Sequence, residues 1–282
     1  MDDALLEKDP IKRLGLIGVY ASVYPTNFEK LPSKPFNPLL GETFELVVPG
    51  KYKFFSEQVS HHPPICASIL LGDKGYSRET IFRAKNKLSG GGLALTNMYK
   101  DYINIDCYGE RFLIIPPTLV IHNLIIGEPY MDAGNHGYVR NVASPNKEYV
   151  DIKFHKRGWS EKTHSKIEGE VFSAPGKVEY RITGKWNSTV QLIHAETNEV
   201  VYTWNKEPNP DNYEYMYGYT RHTLQFNYLT DRLAAKIAPT DSRLRPDQRA
   251  LENGDFKFAA SEKNRLEEKQ RAVRKYREAM KI

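Results

Sequence analysis

The sequence is poor in cysteine and contains no long apolar run. Only Cys66 and Cys107 occur among 282 residues, and two thiols so far apart suggest neither a disulfide framework nor a zinc ligand cluster. No stretch approaches the roughly 18 uninterrupted apolar residues of a membrane-spanning helix. The acidic start Met1-Asp2-Asp3 has the wrong charge for a signal peptide. We therefore expect a cytoplasmic protein in a reducing compartment, whose contact with membranes is peripheral.

Motifs of common enzyme classes are also missing. There is no GxSxG elbow, no HExxH and no P-loop. The run Gly90-Gly91-Gly92 lacks the following Lys-Ser or Lys-Thr with which a P-loop binds phosphate. These absences predict a protein that is not an enzyme and that needs no cofactor or metal.

The positive charge is concentrated near the end of the chain. The formal net charge is +5, and the segment from Asp255 to Ile282 contains nine Lys or Arg and five Asp or Glu, a net charge of +4. A basic tail on a nearly neutral body suits an anionic partner, such as a membrane surface or a nucleic acid. A solvated charged helix is the alternative. Because the positive residues are interleaved with acids and no base-reading motif accompanies them, a nucleic-acid partner is not expected.

Two helices are predicted, one near each end of the chain. Asp9-Pro10 is typical of a helix start, and apolar residues then recur at helical spacing until Pro25. A proline-rich link follows over 31–38, where each proline stiffens the backbone and favours the presentation of side chains. Ser261 is the predicted N-cap of a final helix that runs to about Met280.

The region between the helices has the pattern of many short strands. Runs rich in Val, Ile, Tyr, Phe and Thr are separated by turn residues, which predicts antiparallel pairing and closure into a large barrel that can hold a ligand. Leu224 to Ile237 is predicted to form a strand and then a short helix. The main runs are Phe44 to Val48, Tyr52 to Val59, Tyr102 to Cys107, Leu119 to Ile126, Tyr149 to Phe154, Val178 to Thr183 and Val200 to Trp204.

The segment EQVSHHPP, Glu57 to Pro64, matches in full the fingerprint of the oxysterol-binding-protein-related family. Because further matching segments cover nearly the whole chain in the expected order, the sequence is identified as a member of that family. These segments are KPFNPLLGETFE from Lys34, VIHNLIIG from Val120, IEGEV from Ile167, GKW from Gly184, TDSRLRPDQRALENGD from Thr240 and RLEEKQRAVRK from Arg265.

The resemblance implies a mainly β (α+β) fold, a large incomplete antiparallel β-barrel that encloses a lipid tunnel, with an N-terminal helix and a C-terminal helical segment. It implies binding of phosphatidylinositol 4-phosphate by its headgroup, and exchange of that lipid for a sterol or phosphatidylserine between membranes at organelle contact sites. Tyr24 resembles a family aromatic near the tunnel floor and is the candidate sterol contact. The family's headgroup ligands map onto Lys34, Asn37, His61, His62, Lys263, Glu267 and Arg271.

The chemistry of these residues suits an anionic headgroup. Lys binds phosphate as a point charge, Arg as a fork and His as a donor tunable near neutral pH. Adjacent histidines in a strand face opposite ways, but Pro63-Pro64 ends the strand after His62, so that both imidazoles can reach one mouth. Without the flanking match, the histidine pair would more often be structural, and Lys34 and Asn37 would be ordinary loop residues.

The final helix carries one apolar stripe and two charged borders. Ala259, Leu266, Val273 and Met280 are seven residues apart, and this face is expected to lie against the barrel. Lys263, Glu267 and Arg271 fall on one border of the stripe and Arg265 and Lys269 on the other. The resemblance implies that the first border faces the headgroup, with Glu267 holding the two cations in place.

One domain is expected over 1–282, with a helix and link over 1–42, a barrel over 43–207 and a C-terminal subdomain with the basic helix over 208–282. In the family, a mobile N-terminal lid and the first barrel strands precede the segment that Asp9 to Tyr24 resembles, and the lid is expected to be absent from this chain. The alternative function is a phosphoinositide sensor or scaffold, which would bind the headgroup without extracting the lipid.

Overall fold

The computed structural model describes residues 1–28, 36–89, 92–97, 100–158, 163–216 and 219–280. The chain forms two compact units. The first consists of Met1–Leu31 and Leu70–Asn209, and the second of Pro32–Ile69 and Pro210–Ile282. The expected organisation as one domain stays a prediction.

Strands dominate the described residues, and the helices lie towards the ends of the sequence. The helices are α1 (Asp2–Leu6), α2 (Pro10–Ser22), α3 (Asp231–Ala234), α4 (Pro246–Glu252) and α5 (Phe256–Met280). Short 3₁₀ turns cover Tyr24–Phe28, Asp106–Tyr108, Tyr213–Met216, Thr223–Gln225 and Ser242–Leu244. The strands are β1 (Thr43–Val48), β2 (Tyr52–His61), β3 (Pro64–Gly72), β4 (Tyr76–Phe82), β5 (Ala84–Ser89), β6 (Gly92–Asn97), β7 (Lys100–Ile105), β8 (Glu110–Ile115), β9 (Thr118–His122), β10 (Tyr130–Asn141), β11 (Tyr149–Phe154), β12 (Lys166–Ala174), β13 (Lys177–Lys185), β14 (Thr189–His194) and β15 (Val200–Asn205).

The first unit contains a large antiparallel sheet. Its strands pair in the order β4-β7-β8-β10-β11-β12-β13-β14-β15, and the group β5-β6-β9 joins at β10. The long strand β10 makes this branch possible, because its first half pairs with β9 and its second half with β8. Within the described part of this unit β4 and β15 stand at opposite ends of the order, so the sheet is not closed. The mainly β, antiparallel and incomplete fold class is confirmed.

Helix α2 packs on this sheet through a buried apolar face. Leu14 and Ile17 are fully buried and belong to the same core as Ile182 of β13. Gly18 permits the close approach, because a Cβ there would lie only 2.9 Å from Ile182 Cδ1.

The second unit joins a strand pair to the C-terminal helices. β1 and β2 are antiparallel, with Thr43 opposite Glu57. Thr43 also forms a parallel bridge with Asp241, and α4 packs against α5. Ala259 of α5 is buried.

Helix starts were predicted with mixed success. α2 begins as expected, because the Asp9 side chain accepts a hydrogen bond from the Ile11 amide at 2.9 Å. Ser261 as the N-cap of the final helix is wrong. α5 begins at Phe256, and Asp255 supplies the capping oxygen, which accepts from the Phe258 amide at 3.0 Å.

Three predicted strands need correction. The run that begins at Leu119 ends at His122, because Asn123 adopts a positive φ of 58° that interrupts the ladder. Asp106 and Cys107 leave β7 for a 3₁₀ turn. Thr223–Gln225 forms a 3₁₀ turn where a strand was predicted, and the short helix of this region is α3. Among the described residues, no helix has the length and apolar character that crossing a bilayer requires.

Candidate functional site

The fingerprint segment occupies the end of β2. Gln58 is buried, whereas Glu57 and Val59 are exposed, as expected for a strand whose successive side chains point to opposite faces. The Gln58 side-chain amide donates to the Ser60 carbonyl at 2.7 Å. The same alternation assigns His61 to the face of Glu57 and Val59.

His61 and His62 remain together because the strand ends between them. β2 stops at His61, and the peptide bond from His62 to Pro63 is cis. The two imidazole rings lie edge to face, with centroids 4.9 Å apart and an interplanar angle of 82°. His62 is exposed and His61 half-buried, so the pair forms one polar surface at the strand end.

His61 has an unsatisfied polar atom. Its Nδ1 is buried and has no hydrogen-bond partner among the described residues. The pKa of His61 lies below its usual range, chiefly because burial disfavours the charged ring and secondly because His62 is adjacent. Arg274 lowers this pKa further, whereas a hydrogen bond to the Pro38 backbone and the charge of Glu267 act in the opposite direction. The ring therefore lies close to both the proline-rich link and α5.

Backbone groups of the link and of the residues just after it are bonded to side chains of the C-terminal segment. The Asn37 carbonyl accepts a hydrogen bond from Arg245 at 2.9 Å, and the Leu40 amide donates to Gln270 Oε1 of α5 at 2.7 Å. The Asn37 side chain itself is exposed. Lys34 lies outside the described residues.

A buried ion cluster holds the link in this position. Arg245 pairs with Glu42 at 2.7 Å and with Asp247 at 2.6 Å, and all three side chains are almost completely buried. Burial raises the pKa of Glu42, although the positive charge of Arg245 opposes that shift. Asp241 and Arg243 form a second buried pair at 2.8 Å. No role for these residues followed from the sequence, although the repeated spacing of Asp-x-Arg and Arg-x-Asp was a signal.

The predicted residues of α5 form an ion-pair ladder. Glu267 accepts from Lys263 at 2.6 Å and from Arg271 at 3.3 Å, and Arg271 also contacts Glu268. Glu267 therefore lies between the two cations, as expected from the helical spacing. Lys263 Nζ is also 5.9 Å from the Phe36 ring centroid, which brings the ladder next to the link.

Arg274 is a further cation of this site that the sequence did not indicate. It influences the His61 ring and pairs with Glu278 at 3.6 Å. Arg274 follows Arg271 by three positions, which places it on the same face of the helix, and this helical spacing was the signal that could have identified it.

The expected apolar face of α5 is only partly buried. Ala259 is buried and Leu266 half-buried, but Val273 is 40% exposed and Met280 56% exposed. All residues over 271–280 are exposed. The prediction that the whole stripe packs against the barrel is therefore wrong for its second half.

An apolar groove of about 410 Å³ adjoins the fingerprint strand. Val59, two residues before His61 on the same face of β2, belongs to its wall. The groove is therefore a candidate site for an apolar ligand group that extends away from the histidine pair. Its wall is formed by Thr43, Phe44, Glu45, Phe55, Ser56, Glu57, Val59, Ala67, Ser68, Ile69 and Ala238.

Tyr24 lies elsewhere, in the first unit. It is half-buried and packs against the core of that unit. A cavity of about 100 Å³ in the same unit is lined by α1, α2 and β15, and Tyr24 is not part of its wall. This volume is well below the roughly 300–1,000 Å³ typical of a small-molecule site. The sterol contact at Tyr24 stays a prediction.

The second unit thus brings together groups suited to an anionic ligand with an apolar tail. Lys263, Arg271 and Arg274 supply positive charge, the histidine pair supplies tunable donors, and Glu267 can accept bonds from hydroxyl groups. No group of three or more potential metal ligands occurs within the described ranges.

Comparison with known proteins agrees with this description. A family model described as oxysterol-binding protein matches residues 1–282. Human oxysterol-binding protein-related protein 6 is 35% identical over 280 residues, which cover 99% of this chain and 30% of that protein. Human oxysterol-binding protein-related protein 3 is 33% identical, over 98% of this chain and 31% of its own length. The chain therefore spans about a third of the length of these relatives.

Solved structures with the same fold carry two kinds of lipid. The Osh1 ORD domain in complex with cholesterol superposes with a TM-score of 0.87 at 29% identity and covers 100% of this chain and 70% of that domain. The Osh3 ORD from Saccharomyces cerevisiae in complex with PI(4)P gives a TM-score of 0.82 at 31% identity, over 98% and 73% of the two chains.

Proposed function

Because the chain belongs to the oxysterol-binding protein family, we propose that it binds phosphatidylinositol 4-phosphate by its headgroup and exchanges that lipid for a sterol or phosphatidylserine. The exchange would take place between cytoplasmic membrane surfaces, at organelle contact sites, to which the protein binds peripherally. No chemical transformation of the lipid is part of this function.

The buried, unpartnered Nδ1 of His61 carries the proposal. A buried polar atom without a partner costs free energy, so such atoms are rare and often belong to binding sites. Here the atom lies where the histidine pair, the link and α5 come together. A phosphate oxygen or an inositol hydroxyl would satisfy it.

Each of the other residues has a role that follows from its chemistry. Lys263 and Arg271 would bind phosphate oxygens by charge and hydrogen bond. Glu267, which pairs with both cations, would hold them in place and accept bonds from inositol hydroxyls. Lys34 and Asn37 would complete the site from the link, and Arg245 would position that link.

The groove beside β2 supports a place for the acyl chains. Phe55 and Val59 present apolar side chains in its wall, and their exposure to water is relieved when an apolar ligand covers them. A headgroup at His61 and a tail along Val59 would then use one continuous face of the strand.

A phosphoinositide sensor or scaffold is the second candidate function. A sensor would bind the headgroup in the bilayer and leave the acyl chains there.

The test is extraction of phosphatidylinositol 4-phosphate from liposomes by the double variant His61→Ala/His62→Ala. The loss of two charge-assisted bonds, each worth about 1.5–3 kcal/mol, predicts a loss of affinity of about a hundredfold or more. The matched control is His136→Ala/His155→Ala, because these histidines pair with Asp151 and Glu168 in the first unit and should leave extraction unchanged. Normal extraction by a folded double variant at His61 and His62 would overturn the headgroup site. Binding without extraction by the wild-type protein would favour the sensor.

A further inference from the structure

The loop after β9 exposes three consecutive apolar residues. Leu124 is 45% exposed, Ile125 82% and Ile126 84%. Scattered surface apolar residues are ordinary, but contiguous apolar patches of this kind mark interaction sites. The loop belongs to the first unit and has no part in the headgroup site.

The loop holds its apolar residues outward by its own backbone. Asn123 adopts a φ of 58° and Gly127 a φ of 92°, a conformation that Gly adopts freely and that Asn adopts more readily than branched residues do. The Asn123 side-chain amide donates to the Glu128 carbonyl at 3.2 Å and closes the loop. This bond joins the two ends of the loop and reduces the conformational entropy that binding would cost.

A further exposed apolar residue, Leu88, lies on a neighbouring strand. Leu88 of β5 is 77% exposed, and it pairs in register with Leu93 of β6, which pairs with Ile121 of β9. Paired residues project on the same face of a sheet. Leu88 of β5 and Leu93 of β6 therefore lie in line with Ile121, near the end of β9, after which the loop of Leu124, Ile125 and Ile126 begins.

Positive side chains lie next to the loop. The Arg157 guanidinium lies 4.5 Å from the Tyr130 ring centroid, and the Tyr130 ring stacks on His122, the last residue of β9. The Arg157 amide also donates to Asp132 at 2.8 Å, which fixes this chain segment at the base of the loop. Lys156 and Lys87 are further exposed cations of this sheet edge, and Glu128 is an exposed acid within it.

We propose that the Leu-Ile-Ile loop, with Leu88 beside it, is a membrane anchor that inserts into the interface of an anionic bilayer. Apolar tips enter the boundary between headgroups and acyl chains, and nearby cations bind the anionic headgroups. The combination of an apolar tip with flanking positive charge favours a lipid surface over a protein groove. This inference is independent of the headgroup site.

The test is co-sedimentation with vesicles made of equal parts phosphatidylcholine and phosphatidylserine, without any phosphoinositide. The double variant Ile125→Asp/Ile126→Asp is expected to bind at least about tenfold more weakly than the wild type, because two apolar side chains no longer enter the interface and two acids are repelled by it. Leu6→Asp is the matched control, since Leu6 is 78% exposed in the same unit and should bind normally. The absence of wild-type binding, or equal binding by the double variant, would overturn the anchor.

A second measurement reports insertion itself. Ile126→Trp should show blue-shifted emission on addition of the vesicles and quenching by brominated acyl chains, whereas Leu6→Trp should show neither. An unshifted Ile126→Trp spectrum with bound vesicles would contradict insertion. A wild-type dimer that becomes a monomer in the double variant would show that the patch is a protein interface instead.

Discussion

At the scale of single residues, His61 limits how a phosphate can bind. Its Nδ1 is buried and has no partner among the described residues. A neutral imidazole has one N–H, so it donates from one ring nitrogen and accepts at the other. Only a protonated His61 donates from both ring nitrogens, and a phosphate beside the ring favours that charged form.

We therefore expect headgroup binding to take up a proton at His61. The ligand-free pKa is lowered by burial and by His62, and a bound phosphate should raise it by stabilising the charged ring. Affinity for soluble glycerophosphoinositol 4-phosphate should then increase as the pH falls, by up to about tenfold per pH unit. Calorimetric titration across neutral pH, with the His61 ring followed by NMR, measures both effects.

The control for this prediction is His61→Asn, because the phosphate itself also titrates near pH 6. The variant should keep only the pH dependence of the ligand. The same slope in both proteins would contradict proton uptake at His61.

Without ligand the unfolded chain binds more protons just below a pH of about 6.5, so the free energy of unfolding should decrease as the pH falls through that range.

The sequence indicated the site residues that are marked by local sequence patterns, but not those whose partners are distant in the chain. The histidine pair stands in a segment of unusual composition, and Glu267 follows Lys263 at a helical spacing that can be read locally. Arg245 and Glu42 lie 203 positions apart, so their pairing depends on the tertiary fold. The same holds for Gln270, whose partner is the backbone of Leu40.

At the scale of elements, α5 carries two pairs of cations on opposite borders of its apolar stripe. One pair is Lys263 and Arg271, and the other is Arg265 and Lys269. Lys263 and Arg271 share Glu267, whereas Arg265 pairs with Glu262. The reversal Lys263→Glu/Arg271→Glu should eliminate headgroup binding, because it places two acids beside Glu267 where phosphate is expected. Arg265→Glu/Lys269→Glu changes the net charge equally and should weaken only liposome attachment, in a salt-sensitive way.

Binding of soluble headgroup and of liposomes at two salt concentrations distinguishes these outcomes. Equal losses of headgroup binding from the two pairs would show that α5 acts as an undirected basic patch. If circular dichroism shows a loss of helix content in either variant, headgroup binding is compared between the single substitutions Arg271→Glu and Lys269→Glu instead.

Local signals predicted element types better than their ends. The start of α2 is set by one side-chain cap and one proline, both of which are visible in the sequence. The end of β9 is set by the positive φ of Asn123, and the apolar residues that follow it resemble a continuing strand. Their exposure depends on the loop closing through Glu128, which hydrophobic patterning does not reveal.

At the scale of the whole molecule, the proposed exchange requires one lipid to exclude another. The groove of about 410 Å³ is within the roughly 300–1,000 Å³ range of single-ligand sites. Liposomes that contain cholesterol or phosphatidylserine are therefore expected to displace a labelled phosphatidylinositol 4-phosphate from the protein. Val59→Asp, which places a charge in the groove wall, should weaken the binding of both competing lipids.

Displacement is measured as release of the labelled lipid during titration with acceptor liposomes. Failure of both cholesterol and phosphatidylserine to release it would contradict exchange and favour the sensor.

Composition and short motifs predicted the fold class and family of the chain. The second lipid depends on the shape of a groove whose wall combines distant parts of the sequence, and was not predictable.

The second unit is built from Pro32–Ile69 and Pro210–Ile282, and this affects how the protein is made. The histidine pair leaves the ribosome before Glu267 and Arg274, which follow it in the chain by about 200 positions. Closing such a long loop carries an entropic cost and slows folding. The first unit, whose strands mostly pair with neighbours in sequence, can form while the chain is still growing. Nascent chains that stop before α5 would therefore present the complete histidine fingerprint and yet lack the cations needed to hold a phosphate.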